Sequence, residues 1–282
     1  MELSDQERPV PEWPQRACDI PSKRIYRYRQ YRLDELRHLL KTGEIRFSEP
    51  RKFNDPWECC PRFYAPTEDL EGRLVIAIAE LERRTKGKGD LDAVAKEAAT
   101  TAIDNTKFEE LARRLTESMQ EELRARFRIL CFSAVGDDPL MWGHYADGHR
   151  GVCLIFDTTT HAMGKAWRVN YSLQYPAVPL DLKEKDHFPI SFLNKADHWK
   201  YEIEYRIVAC INVANRPDFV ACDNLSYVNV GAESLVGVIC GHYFQDRMEL
   251  TRLLASAPHE IGMYEARTRQ DRYELDIVPI DK

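Results

Sequence analysis

The sequence predicts an α+β protein, with a mostly antiparallel sheet core and a helical insertion. Three observations carry that reading. Short runs alternate apolar and polar side chains with the period of a half-buried strand, as in Tyr201-Glu202-Ile203-Glu204-Tyr205-Arg206. Such runs cluster on either side of an Ala/Leu/Glu/Arg-rich stretch that has a helical character. The strands do not alternate regularly with helices, as a doubly wound sheet would require.

Residues 1–24 form a proline-rich, irregular lead-in, and residues 25–282 a single α+β domain with a helical insertion at about 66–127. The first strand is Ile25-Tyr26-Arg27-Tyr28-Arg29. A helix follows from about Leu33, with Asp34 and Glu35 in its first turn and Leu36, Leu39 and Leu40 at helical spacing. Gly43 stands where a helix ends, before a second strand at 44–48. In the loop Arg51-Lys52-Phe53-Asn54-Asp55-Pro56-Trp57-Glu58, the aromatics Phe53 and Trp57 are expected to anchor the turn. Within the insertion, Lys86-Gly87-Lys88-Gly89 separates two helices, and Asp90 is placed to cap the second.

Strands resume at 128–133 and 151–156. Between them lies the densest polar-aromatic stretch, Leu140 to Gly151, which suits the wall of a site. Further strands are expected near 167–171, 202–213, 219–222, 235–240 and 273–279, with one helix at 246–255.

Composition excludes several classes. The 282-residue chain is 44% hydrophobic and 30% charged with a net charge of −6, so no global basic field recruits nucleic acid. A local basic cluster remains in Arg24, Arg27, Arg29 and Arg32. No window is apolar enough for a membrane span and no signal peptide opens the chain, so a cytoplasmic location is expected. Of eight cysteines, none forms a Cys-x-x-Cys pair, and Cys131, Cys153, Cys210 and Cys240 sit in apolar runs. No metal is expected. Phosphate loops, dinucleotide glycine turns and nucleophile elbows are missing from the sequence.

In the alternating run, Tyr201, Ile203 and Tyr205 should face the core, and Glu202, Glu204 and Arg206 the other side. The two carboxylates would then stand about 7 Å apart at Cα, close enough to act on one ligand. The competing reading is a charged sheet face in which Arg206 simply neutralises Glu204.

Several segments together resemble an uncharacterised bacterial domain of unknown function. They are residues 25–29, Phe53-Asn54-Asp55-Pro56-Trp57-Glu58, Cys131-Phe132-Ser133, Met141-Trp142-Gly143-His144-Tyr145-Ala146, Gly151-Val152-Cys153-Leu154 and Trp199 to Arg206. The order of an aromatic-Arg pair, Tyr26-Arg27 or Tyr28-Arg29, then Ser133, then Glu202-Ile203-Glu204 is similar to that of ADP-ribosyltransferases. The chain departs from that pattern at Ser133-Ala134-Val135, where the family carries Ser-Thr-Ser.

This second resemblance implies an enzyme that takes NAD as its substrate and transfers ADP-ribose to a macromolecule. The acceptor could be protein, tRNA or DNA, and the setting that of a toxin or phage-defence effector. Glu204 would hold the ribose and stabilise its cation, Glu202 would act as base, and Ser133 would support Glu204 or the ribose. Arg27 or Arg29 would bind the phosphates, Tyr145 or Trp142 would stack on the nicotinamide, and His144 is a further candidate for binding NAD. The alternatives are a nuclease or other hydrolase using Asp55, Glu58 and His144 from beside Asn54, and a non-catalytic recognition module.

Overall fold

In a computed structural model of the chain, residues 15–64, 70–85, 90–179, 190–211 and 219–280 are described. The greater part of the lead-in, the Lys86–Gly89 break and residues 212–213 of the expected 202–213 strand lie outside them. Two compact units emerge. One comprises Pro14–Lys52, Phe127–Tyr171 and Lys195–Lys282; the other includes Phe53–Arg126 and Ser172–Asn194.

The larger unit is built on a mixed, mostly antiparallel sheet. Its strands are β1 (Arg24–Arg29), β2 (Phe127–Ser133), β3 (Val152–Asp157), β4 (Trp167–Arg168), β5 (Glu204–Ile211), β6 (Val220–Cys222), β7 (Leu235–Cys240), β8 (Gly262–Thr268) and β9 (Leu275–Pro279). Their order is β6-β5-β2-β1-β3-β7-β8-β9, with β4 paired to β5. Only the β5/β6 and β7/β8 pairs are parallel. Strand β8 was not among the sequence expectations, and β9 begins two residues later than expected, leaving Tyr273 fully exposed.

Three helices cover this sheet: α1 (Leu33–Thr42), α2 (Pro139–Tyr145) and α3 (Arg247–Ala255). Helix α1 buries Leu36, Leu39 and Leu40, and α3 buries Leu250, Leu253 and Leu254, in one apolar cluster with Leu130, Phe132, Leu154, Phe156, Tyr205 and Ile207. The residues between these on the strands point to the other face. There α2 contributes Met141 and Trp142 to a second cluster with Tyr28, Cys153, Ile155 and Ile239. The sheet thus has an apolar face under α1 and α3, and a second face under α2 that carries the polar groups described below.

Local chemistry fixes the helix ends. Asp138 caps α2, its Oδ1 accepting from the N–H groups of Leu140 and Met141 at 2.8 and 3.0 Å. Gly43 ends α1 in the left-handed conformation (φ 72°), and its N–H donates to the Leu39 carbonyl at 2.8 Å.

The smaller unit holds helices Leu70–Thr85, Leu91–Ile103 and Asn105–Arg126, and a parallel pair of short strands, Arg62–Tyr64 and Ala177–Pro179. It starts before the expected insertion and takes in a second chain segment. Its core is Ile76, Ala77, Leu81, Val94, Ala98, Phe108 and Leu111. Asp90 caps the second helix as expected, accepting from the Asp92 N–H at 3.1 Å. The 51–58 loop departs from expectation: Trp57 is 61% exposed and anchors nothing, while its N–H donates to Asp55 Oδ1 at 2.9 Å. No helix among the described residues is long and apolar enough to cross a membrane.

Gly43→Ala should destabilise the larger unit by about 1–2 kcal/mol, the cost of a left-handed non-glycine residue. The added Cβ would also meet the Ala232 nitrogen at 3.0 Å. Urea unfolding of the two proteins measures the difference.

Candidate active site

The register of three neighbouring strands builds the site. Tyr26 on β1 lies opposite Ser133 on β2, and Ser133 lies opposite Glu204 on β5. Cross-strand partners share a face, so the three side chains form one row. With strands about 4.8 Å apart, the row is about 10 Å long at Cα. The next position on the same face pairs Cys131 with Arg206.

Strand β5 begins only at Glu204. Tyr201 and Glu202 belong to a 3-10 stretch, Asp197–Glu202, and Ile203 adopts the left-handed conformation at φ 43°. The expected alternation from 201 to 206 is therefore broken at Ile203. Instead of lining an open strand face, Glu202 and Glu204 are both 3% exposed and converge on one ammonium. Lys195 Nζ donates to Glu202 Oε2 at 2.5 Å and to Glu204 Oε2 at 3.0 Å. Arg206, wholly buried, grips Glu204 in bidentate fashion: Nε to Oε1 at 2.8 Å and Nη2 to Oε2 at 2.9 Å. Tyr145 Oη, from α2, donates to Glu202 Oε1 at 2.6 Å. The Glu204 N–H donates to Tyr171 Oη at 2.8 Å, and Lys195 sits 5.2 Å from the centre of the Trp199 ring.

Two cations and two carboxylates thus share one buried site and sum to zero charge. Burial pushes the Glu204 carboxyl up, against the opposing pull of Lys195. Burial by itself would lower the Lys195 ammonium, but Glu204 and Glu202 outweigh it and hold its pKa above the ordinary lysine value. The Cys131 thiol beside them is driven far up by burial and by Glu204, which makes it a poor nucleophile.

Several expected site residues lie elsewhere. Arg27 is paired in register with Leu154, so it springs from the apolar face, opposite the Tyr26–Ser133–Glu204 row. Its Nη1 donates to the Cys131 carbonyl at 2.9 Å, and burial and Arg29 lower its pKa to about 10. Arg29 is on that same face and is engaged by Glu35 of α1. On β1, the arginine that shares the face of the row is Arg24, two residues before Tyr26. Trp142 is fully buried, edge-on to Tyr28, and donates Nε1–H to the Gly136 carbonyl at 3.1 Å; it is core and offers no ring to a ligand. His144 is exposed, with its ring 6.2 Å from that of Tyr145 and 6.4 Å from that of Tyr201. Ser133 is buried, and its Oγ accepts from the Val135 N–H at 3.1 Å.

For the hydrolase alternative, Asn54, Asp55 and Glu58 belong to the smaller unit and His144 to the larger. Asp55 and Glu58 are buried, and Asn54 is exposed. Among the described residues, no group of three or more His, Cys, Asp and Glu side chains is placed to hold a metal ion.

Lys195 and Tyr171 had no signal in the sequence beyond a lysine two residues past the apolar pair Phe192-Leu193 and a tyrosine in an alternating strand. On the same sheet face a cleft of about 270 Å³ opens at Tyr26, bordered by Arg24, Gly136, Asp137, Ile239 and Tyr264. No protein-family model matches the chain, and no curated protein or solved structure matches it either.

Lys195→Met would leave two adjacent buried carboxylates sharing a single cation. Loss of one partner from a buried ion pair costs about 3–5 kcal/mol, so denaturant unfolding should show a drop of that size. Adding Glu202→Gln, which removes the surplus charge, should restore part of it.

Proposed function

We propose that the chain transfers ADP-ribose from NAD to a macromolecular acceptor, with Glu204 as the ribose-directed carboxylate. The observation that carries this reading is the row itself. An aromatic from β1, a serine from β2 and the second glutamate of a Glu-x-Glu from β5 stand side by side on one sheet face. The same order of groups along the sequence resembles that of ADP-ribosyltransferases. The quartet around Glu204 adds support. Four desolvated charges stabilise a fold no better than well-packed apolar residues of the same volume, so their retention favours a chemical use.

In this reaction the bond between ribose C1′ and the nicotinamide nitrogen breaks. Its electron pair leaves with nicotinamide, which departs neutral. Positive charge develops on the ribose, the same problem that glycosidases solve with carboxylates. Glu204, oriented by Arg206, stabilises that charge more in the transition state than in the ground state. The acceptor nucleophile forms the new bond to C1′, and its proton passes to Glu202. Lys195 contacts both carboxylates at rest and withdraws from Glu204 as the ribose enters. Arg27 and Arg29, on the opposite face and engaged there, are misplaced for the phosphate-binding task.

Purified protein incubated with NAD and cell lysate should release nicotinamide. Glu204→Gln should lower the rate by about 10²–10³, the range seen when one electrostatic stabiliser is lost, with circular dichroism confirming that the variant is folded. A folded wild-type protein that releases no more nicotinamide than a heat-inactivated sample would sink the reading.

A further inference from the structure

The cleft beside Tyr26 has features that the row does not use. Three glycines clear space for its two aromatic rings. A Cβ on Gly136 would stand 2.6 Å from the Tyr26 ring, and the Tyr264 ring lies 3.2 and 2.8 Å from where Cβ atoms of Gly237 and Gly262 would be. The apolar part of the lining is aliphatic and includes Ile155, Ile239 and Ile277. Against that apolar lining stand four polar groups: the Arg24 guanidinium, the Tyr26 and Tyr264 hydroxyls, and the Asp137 carboxylate. None of them makes a side-chain hydrogen bond or ion pair among the described residues, whereas most other charged side chains of the sheet unit are paired. Asp137 is near enough to Tyr26 for its charge to help raise that phenol's pKa, although burial is the larger cause.

Each group selects a part of a ligand. Two tyrosine rings with an aliphatic lining suit a flat heterocycle. An ionised carboxylate can only accept hydrogen bonds, so that heterocycle must present N–H groups to Asp137. A single guanidinium at the rim suits one phosphate. The volume of about 270 Å³ lies just below the range of roughly 300–1,000 Å³ typical of small-molecule sites. That is a size suited to one base with its sugar. Guanine offers two parallel N–H donors on one edge, which matches both oxygens of a carboxylate; adenine offers one, beside a nitrogen lone pair that a carboxylate repels.

We infer that this cleft is a binding site for a purine mononucleotide with guanine as its preferred base, held by Asp137 at the base edge and Arg24 at the phosphate. The inference concerns binding alone and does not rest on the transfer reaction. A bound guanine nucleotide would lie next to the Tyr26 end of the row, which would make it an effector of that site or an acceptor delivered to it.

Calorimetric titration of the full chain with GMP, AMP, guanosine and inorganic phosphate, all without NAD, tests it. GMP should bind, with AMP about tenfold weaker or more, the effect of losing one hydrogen bond to a charged group. Asp137→Asn should weaken GMP about tenfold and erase the preference over AMP. Arg24→Gln should weaken GMP towards the affinity of guanosine. Both residues are exposed and unpaired, so these variants keep the fold. Gly136→Val should abolish binding by filling the cleft. The inference is overturned if millimolar GMP gives no heat, if AMP binds as tightly as GMP, or if Asp137→Asn and Arg24→Gln bind GMP like the parent. Nicotinamide release is scored separately, so either result can fail without the other.

Discussion

Glu204 can be buried only because Arg206 and Lys195 are buried with it, and Lys195 can be buried only because Glu202 shares its charge. Each of the four ions would face a desolvation cost of several kcal/mol by itself; together they are neutral and directly hydrogen-bonded. The consequences reach well beyond the site. Lys195, on the short strand Asn194–Ala196, and Glu202, at the end of a 3-10 stretch, lie in the segment that precedes β5; Glu204 and Arg206 are on β5 itself, and Tyr145 comes from α2. The charges therefore fasten that segment to the sheet and α2 to the segment. A left-handed Ile203 costs of order 1–3 kcal/mol, and it is the bend that turns Glu202 back towards the same ammonium as Glu204.

The division of labour between the two sheet faces follows from the same register. Alternation along β1 sends Ile25, Arg27 and Arg29 to the side of α1 and α3, and Arg24, Tyr26 and Tyr28 to the side of α2. On the first side, hydrophobic burial dominates, and Arg27 and Arg29 are tied to the Cys131 carbonyl and to Glu35. On the second, Tyr28 and Trp142 fix α2 through an edge-to-face contact with rings 5.2 Å apart. That contact holds Tyr145 at the distance from which it reaches Glu202. Packing on one part of the face thus sets hydrogen-bond geometry on the other.

Much of this was legible in the sequence where local chemistry decides the outcome. Leu36, Leu39 and Leu40 with Gly43 mark α1 and its end, Asp90 marks a cap, and the continuous apolar run at 152–156 marks a strand buried on both faces. The Ser133 and Glu204 strands were recognised too, although not their adjacency. What failed has a common physical cause. Alternating polarity says that two faces differ, but not whether the polar one meets water or a set of matched charges. Hence residues 202–206 read as a solvated or cleft-facing strand, when the charges in fact neutralise one another out of water. Lys195 could not be found because its partners are supplied by folding. Trp142 read as a ring for a ligand because its burial depends on Tyr28, more than a hundred residues earlier. Arg27 and Arg29 were grouped with Tyr26 as a motif, and a one-residue step in a strand reverses the face.

The closed state of Glu204 bears on how a ribose could reach it. The carboxylate's own backbone is fixed: β5 pairs with β2 along seven residues, and the Glu204 N–H is held by Tyr171. Its cover is different in kind. Between Asp197 and Ile203 the chain forms a 3-10 stretch and a left-handed turn, with a poorer hydrogen-bond geometry than an α-helix and no ladder. The cover is tied to the sheet unit by the Lys195 and Glu202 contacts and by the Ala134 N–H, which donates to the Ile203 carbonyl at 3.0 Å. In the proposed transfer, a ligand that brings positive charge to Glu204 would replace the Lys195 contact to that carboxylate. Arg206, on the strand, holds the carboxylate in a bidentate grip and keeps it aimed. On that proposal access to Glu204 is linked to the charge of the ligand, and a neutral molecule of the same size would have no comparable means of displacing Lys195.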